Sequence, residues 1–299
     1  MRIDPNMVPT ILADLQQNQM SLNTALQEVS TGKSVNVPSD NPAAAAAMVE
    51  NTIETGDVDQ YTQNVSSVLS TVQSASSVLS SVVTSLTQAV SLGTEGANGT
   101  NSSANLQALA TQVQGILSTV VSAANTSVAG THLFGGTSTA TPYTADPSSP
   151  TGYAYNGNND SNSVAIGDNL SVQVNIPGSQ VFSNASKNVI GSLSSLVSAL
   201  QSGTSADIAT ATAAVDSALG YVGQQQAVYG KAETQLNSQQ TFLQQDTVTL
   251  STQANNLIGV NEAVAATELS QDETANSAAL AAAAKVLPTS LLNYLAPPS

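Results

Sequence analysis

Residues 61–89 read YTQNVSSVLSTVQSASSVLSSVVTSLTQA, and the placement of their apolar side chains decides the fold. Tyr61, Val65, Val68, Val72, Ala75, Leu79, Val82, Leu86 and Ala89 fall at steps of four, three, four and three without a fault, which puts all of them on one stripe of an α-helix. A helix over 58–92 would be about 50 Å long at the usual rise per residue. One helix cannot bury such a stripe on itself, so partner helices must run beside it.

Working downstream, Gly96-Ala97-Asn98-Gly99 predicts a turn. Leu106, Leu109, Val113, Leu117, Val120 and Ala124 then predict another amphipathic helix, folding back as an antiparallel hairpin. Between about 135 and 186 the period drops from 3.6 to 2, and Gly, Pro, Asn and Asp crowd around short alternating runs. Val164, Ile166, Leu170, Val172, Val174 and Ile176 read as one face of two short strands, turned at Gly167-Asp168-Asn169 and leaving through Pro177-Gly178. So few residues make a thin core, and the module is expected to lean on the helices or on neighbouring subunits. Helix returns after about Lys187. Ile208, Val215, Val222, Tyr229, Leu236, Leu243, Leu250, Leu257 and Val264 hold one heptad position, while the companion seam carries Gln226, Glu233, Gln240, Thr247 and Glu268. A polar second seam predicts packing in a bundle through a narrow stripe.

Upstream, Gly56 predicts a break. Before it, Asn41 reads as an N-cap with Pro42 at the first helical position, and residues 32–41 read as a loop. Val8, Leu12, Leu15, Leu22, Leu26 and Val29 form an amphipathic seam interrupted by Gln19 and ending near Gly32. The far end closes with an Ala-rich helix over 278–285, a break at Pro288, and the apolar tail Leu291-Leu292-Asn293-Tyr294-Leu295. The fold class expected is mainly α: long antiparallel helical rods, a coiled coil formed by both termini, and a small inserted β-rich domain. The expected division is 1–42 with 246–299, 43–135 with 186–245, and 136–185.

The apolar end segments are the candidate assembly interface. At the start these are Val8, Leu12, Leu15, Leu22, Leu26 and Val29; along the last helices, Leu250, Leu257, Val264, Leu280 and Leu287; in the tail, Leu291, Leu292, Tyr294 and Leu295. The alternative is an ordinary helical core within one monomer. Exposed Leu and Tyr beyond a proline call for cover, and partner subunits supply it.

Composition bounds the partners. Only 8% of residues are charged, against roughly 25% in an ordinary soluble domain. With 20 acidic and 5 basic residues the formal charge is −15, and Arg2, Lys33, Lys187, Lys231 and Lys285 are scattered. Nucleic acid would find no counter-charge. The apolar runs 43–49 and 278–284 fall short of the roughly 18 residues of a membrane span, so no membrane insertion is expected. There is no cysteine. Met1-Arg2-Ile3-Asp4-Pro5 lacks the basic-then-apolar order of a secretory signal.

Chemistry-bearing groups are sparse. Gly32-Lys33-Ser34 resembles the end of a phosphate-binding loop, but Gln27 stands where the earlier glycine belongs and helix precedes it. His132 is the single histidine, which excludes two-histidine zinc motifs and leaves a triad without an oriented partner. Asp57/Asp59 and Asp272-Glu273 sit in polar segments and read as solvated surface. Asn156-Gly157-Asn158-Asn159-Asp160 lacks calcium-loop spacing. With no Trp and three Phe there is little to build a sugar or catalytic pocket. No enzyme activity and no cofactor are expected.

Three stretches resemble the flagellin superfamily, and within it the hook-associated branch that joins hook to filament. The first is Met1-Arg2-Ile3 with Ser30-Thr31-Gly32-Lys33-Ser34-Val35-Asn36-Val37-Pro38-Ser39-Asp40-Asn41-Pro42, similar to the loop between the family's first two helices. The second is Leu133-Phe134-Gly135-Gly136, and the third Ser290-Leu291-Leu292-Asn293-Tyr294-Leu295. The family's terminal helix is usually continuous, so Pro288 is a departure, as is Val37 where a polar residue is frequent. The resemblance implies an inner terminal coiled-coil domain, a helical rod domain and an outer β domain. It also implies a junction ring between hook and filament formed by self-association, with a filament-forming flagellin as the alternative. Implied partners are copies of the chain, a neighbouring hook-associated protein, flagellin and an export chaperone. The implied location is the bacterial flagellum outside the cell, reached by type III export without a cleaved signal peptide.

Terminal seams that are completed only between copies leave a dilute monomer weakly ordered over roughly its first 40 and last 50 residues. Amide exchange over 12–29 is expected to show little protection, and strong protection there would contradict this reading.

Overall fold

A computed structural model describes residues 7–185 and 187–295, with side chains over 9–185 and 187–285. In chain order the elements are α1 (Met7–Thr31), α2 (Pro42–Gly96), α3 (Ser103–Ala124), β1 (Ser127–Val128), β2 (Thr131–His132), β3 (Tyr143–Ala145), β4 (Tyr153–Tyr155), β5 (Ser163–Gly167) and β6 (Leu170–Gln173). They continue as α4 (Gly178–Val181), β7 (Ser183–Asn184), β8 (Lys187–Asn188), α5 (Val189–Ser202), α6 (Ser205–Ile258) and α7 (Glu262–Leu295). Long helices packed on one another with a small β-rich insert are the fold class expected from the sequence. The chain divides into two compact units, 1–57 with 246–299, and 58–245.

In the 58–245 unit the stripe of α2 is its core. Val65, Val72, Leu79, Val82, Leu86 and Ala89 are all within 1% of complete burial. The heptad of α6 meets it, with Ile208, Val215, Val222, Leu236 and Leu243 buried. Gln73 donates to Glu233 at 3.3 Å, and the backbone of Gly93 lies against the Thr212 hydroxyl. Those two pairings, rising in α2 and falling in α6, make the helices antiparallel. Helices α3 and α5 pack together beside them. At Gly96 an added Cβ would meet the end of the Leu200 side chain and touch Leu109 and Ile208, so four helices converge closely on this position.

Two breaks expected from the sequence are absent. Helix α2 runs through Gly56, because a lone glycine costs only about 1 kcal/mol relative to alanine and packing on both sides of it, where Asn51 and Val58 are buried, offsets that. Helix α7 runs through Pro288 to Leu295, where the lost hydrogen bond at one carbonyl is offset by the Ala-rich turns before it and the leucines after it. Conversely, the heptad expected to run unbroken through Val264 is interrupted. Helix α6 ends at Ile258, and Asn261 caps α7 by accepting from the amides of Ala263 at 3.1 Å and Val264 at 3.3 Å. By length and composition alone α2 matches a membrane span, with an 18-residue window of mean hydropathy 1.2. Uninterrupted apolar runs did not reveal this, because Ser and Thr interleave the Val and Leu.

The β-rich insert is four separate antiparallel pairs, β1 with β2, β3 with β4, β5 with β6, and β7 with β8. The β5–β6 hairpin is the one read from alternation. It turns at Asn169, which adopts φ 54°, and an irregularity between Ala165 and Gly167 leaves Leu170 exposed rather than inward. Phe134 and Phe182 meet edge to face at 5.0 Å between ring centroids, with Tyr143 and Tyr155 tilted against each other at 5.1 Å beside them. The insert does lean on the helices. Asn64 of α2 donates to the Ala165 carbonyl at 2.8 Å, and Gln239 of α6 donates to that of Ile166 at 3.0 Å.

Tyr229 of α6 completes the attachment by accepting from the Ile176 amide at 3.1 Å. Burial pushes its hydroxyl up to about 12, above the value near 10 of an unfolded tyrosine. The neutral form is therefore favoured by folding. Its contribution is complete below about pH 10 and is lost as pH climbs through about 12. Tyr229→Phe is expected to lower stability near neutrality by about 1 kcal/mol, because the buried Ile176 amide loses its acceptor. It should also lose less stability than the native chain between about pH 10 and 12. Denaturant midpoints at neutral and alkaline pH check both.

Candidate assembly interface

The unit that holds both ends is organised by its two helix junctions. Gly32 takes φ +67°, ending α1 in the left-handed conformation that glycine tolerates. The chain then pairs with the α6–α7 junction. Ser34 donates its amide to the Ile258 carbonyl at 2.7 Å and its hydroxyl to the same oxygen at 3.1 Å, while the Val260 amide donates to the Gly32 carbonyl at 3.1 Å. Gly32-Lys33-Ser34 is thus a structural clasp. Beyond it, the Asp40 carboxylate accepts from the amides of Asn36 at 3.0 Å and Val37 at 2.9 Å. Asn36 Nδ2 donates to the Lys33 carbonyl at 2.9 Å. Asn41 Oδ1 accepts from the Ala44 amide at 3.1 Å, starting α2 as its N-cap. Lower in the same unit the buried Asn51 donates to the Leu250 carbonyl at 3.1 Å, pinning α2 to α6.

That wiring presents Val35, Val37 and Pro38 beside Met48, Val49 and Ile53 of α2, and together they line an open groove of about 330 Å³. Val37, Val49 and Ile53 are 46%, 61% and 62% exposed. Large apolar side chains left exposed in this unit also include Met20 and Val248. The sequence reading placed none of these at an interface. In the sequence the 43–49 apolar run followed by Ile53 one turn on is the signal for this patch.

Of the residues expected to mediate assembly, Leu12, Leu26, Val29, Val264 and Leu280 are exposed, whereas Leu250 is buried and Leu15, Leu22 and Leu257 are half-buried. The side chains of Val8, Leu287, Leu291, Leu292, Tyr294 and Leu295 lie outside the described residues. Helix α1 packs on α7, but through a face offset from the expected seam: Ile11, Leu15, Asn18, Leu22 and Ala25 are among the shielded positions. On α7 the shielded positions are Ala265, Leu269, Asp272, Asn276, Ala279 and Ala283. Small and polar residues dominate this α7 face among the described residues. Asn276 Oδ1 is buried there without a hydrogen-bond partner.

The remaining chemical candidates are absorbed by local structure. His132 Nδ1 sits 3.0 Å from the Asn125 carbonyl, in the β1–β2 hairpin. Asn158 bonds Thr137 through its Oδ1 at 2.8 Å and reaches Asp160 through its Nδ2 at 3.0 Å, wiring the polar turn internally. Asp57 and Asp59 are exposed on α2. Among the described residues no three or more His, Asp or Glu side chains cluster as metal ligands would.

Residues 6–139 match the family model for the bacterial flagellin N-terminal helical region. No curated protein matches the chain by sequence. A putative flagellar hook-associated protein of Vibrio parahaemolyticus has a similar structure, with TM-score 0.67 at 19% identity over 74% of this chain and 100% of that one. The hook-associated protein 3 of Legionella pneumophila gives 0.64 at 15% identity over 70% and 98%. FlgL of Bacillus cereus gives 0.60 at 21% identity over 69% and 99%. The N-terminal helical part is thus similar to that of flagellins, and the fold is that of the hook-associated structures.

Asp40→Ala removes the carboxylate that holds the 33–41 loop. In the self-associated protein, amide exchange at Asn36 and Val37 is expected to speed up on the order of tenfold, equivalent to about 1.4 kcal/mol of lost local stability. Helix α3, remote in sequence, should keep its native exchange.

Proposed function

We propose that this chain is a structural component of the bacterial flagellum that self-associates into the junction ring between hook and filament. The carrying observation is the surface of the terminal unit, where a rigid loop and the first turns of α2 expose Val37, Val49 and Ile53 around one groove. The flagellin-type N-terminal region and the likeness to hook-associated structures support the same reading. A monomer gains nothing from such exposure, whereas a neighbouring copy that covers it removes apolar area from water. The weakly charged surface lets identical copies pack without strong repulsion.

On this reading residues 1–42 with 246–299, extended by the start of α2 to Asp57, form the inner terminal domain, the rest of 43–135 with 186–245 the helical rod, and 136–185 the outer β domain. Leu12, Leu26, Val29, Val264 and Leu280 are interface positions. Partners are copies of the chain, a neighbouring hook-associated protein, flagellin and an export chaperone, with no nucleic acid and no membrane insertion. The chain acts outside the cell, exported by the flagellar type III route, and catalyses no reaction. A filament-forming flagellin is the competing reading. Filament fragments used as seeds separate the two, since a flagellin elongates them into long filaments and a junction protein does not.

Replacing Val49 and Ile53 together by Asp is expected to weaken self-association on the order of 100-fold, about 2.7 kcal/mol, while circular dichroism of the monomer stays native. Sedimentation across a concentration series reads this, and unchanged association would remove the groove from the interface.

A further inference from the structure

The chain contains two Asn-Gly pairs, Asn98-Gly99 between α2 and α3 and Asn156-Gly157 in the β-rich insert. Their surroundings differ in the features that control attack of a backbone nitrogen on an asparagine side chain. Asn98 is exposed, and Asn98 Oδ1 accepts from the Thr100 hydroxyl at 3.0 Å and from the Thr100 amide at 3.3 Å. A backbone N–H can only donate, so the atom facing it is the carbonyl oxygen. Gly99 is open, with nothing near the place a Cβ would occupy. Asn156 has its Nδ2 held by the Thr144 hydroxyl at 2.8 Å, and Gly157 is half-buried against the Tyr155 ring and the Gly135 carbonyl.

We propose that Asn98 is a site of self-modification, converting to aspartate and isoaspartate through a cyclic imide. Gly99 N, having lost its proton to water or hydroxide, attacks Asn98 Cγ. The carbonyl π pair moves onto Oδ1, where the two Thr100 donors stabilise the negative charge that develops. The Gly99 N–Cγ bond forms, the Cγ–Nδ2 bond breaks, and ammonia leaves with the proton it takes from solvent. Water then adds to either imide carbonyl, and ring opening leaves a side-chain or a main-chain carboxylate at position 98. No oxidant or reductant takes part.

The change has a structural consequence where it occurs. Asn98 N donates to the Glu95 carbonyl at 3.2 Å, and Asn98 O accepts from the amide of Asn101 at 3.2 Å. Asn101 Nδ2 reaches both the Glu95 and Asn98 carbonyls. A new carboxylate enters beside Glu95, at the helix end whose free carbonyls already carry partial negative charge. The isoaspartyl form also lengthens the backbone by one carbon. Both loosen the α2–α3 turn close to Gly96, where Leu109, Leu200 and Ile208 meet.

The test follows the purified full chain in mildly alkaline buffer, with peptide mass spectrometry reading the amide-to-acid increment at each Asn-Gly pair. Isoaspartyl methylation distinguishes the two products. Asn98 is expected to react on the order of tenfold faster than Asn156 in the folded chain, and the two rates should converge in denaturant. Thr100→Val is expected to slow Asn98 by about threefold or more and leave Asn156 unchanged. Asn156 also reports folding, because a variant that unfolds would accelerate it. Asn98 reacting no faster than Asn156, or an Asn98 rate indifferent to Thr100→Val in a folded chain, would overturn the proposal.

Discussion

An apolar stripe too long for one helix to bury is the constraint on which the rest of this structure depends. In residues 65–89 the stripe is nearly fault-free, and its satisfaction requires the heptad of α6 to run antiparallel beside it. That requirement brings segments distant in sequence together. Buried Val, Leu and Ala supply most of the favourable free energy, at about 25 cal/mol per Å² of apolar area removed from water. The polar positions then tune it: Gln73 reaches Glu233, and Thr212 fits against Gly93. With so few charges available, cohesion rests on packing and on amide and hydroxyl hydrogen bonds.

The β-rich insert follows the same logic at smaller scale. Its paired strands are two to five residues long, too little for an independent core. Four aromatic rings make a small centre, and hydrogen bonds from Asn64, Gln239 and Tyr229 fasten the module to the helices. Those anchors read carbonyls and amides at defined positions, so they set the module's placement rather than merely adding stability.

The terminal unit is built differently. Its loop is held by backbone and carboxylate hydrogen bonds, while apolar side chains remain exposed around it. Helix α7 meets α1 through a face of mostly small and polar residues, and Asn276 brings a buried carbonyl oxygen with no partner into that contact. Rigid backbone with uncovered apolar surface suits a part whose final cover is another molecule. The helical unit, in contrast, buries its stripe within one chain.

What the sequence by itself determined were features that depend on local period and local capping. The helices of the 58–245 unit, the cap at Asn41, the end at Gly32 and the β5–β6 hairpin were legible because side-chain spacing and turn chemistry act within a few residues. Gly56 and Pro288 were misread as breaks because their intrinsic cost is fixed while the compensation comes from the helix around them. The break at Gly259 was missed because a persistent heptad masked the Asn261 cap. Only the tertiary structure decided the rest. Which flank of α1 meets α7, how 32–34 clasps 258–260, and how Val37 comes to sit beside Val49 and Ile53 depend on chain segments that no sequence window contains together. The groove is therefore a property of the folded unit, assembled from residues whose individual spacing carries no signal of it.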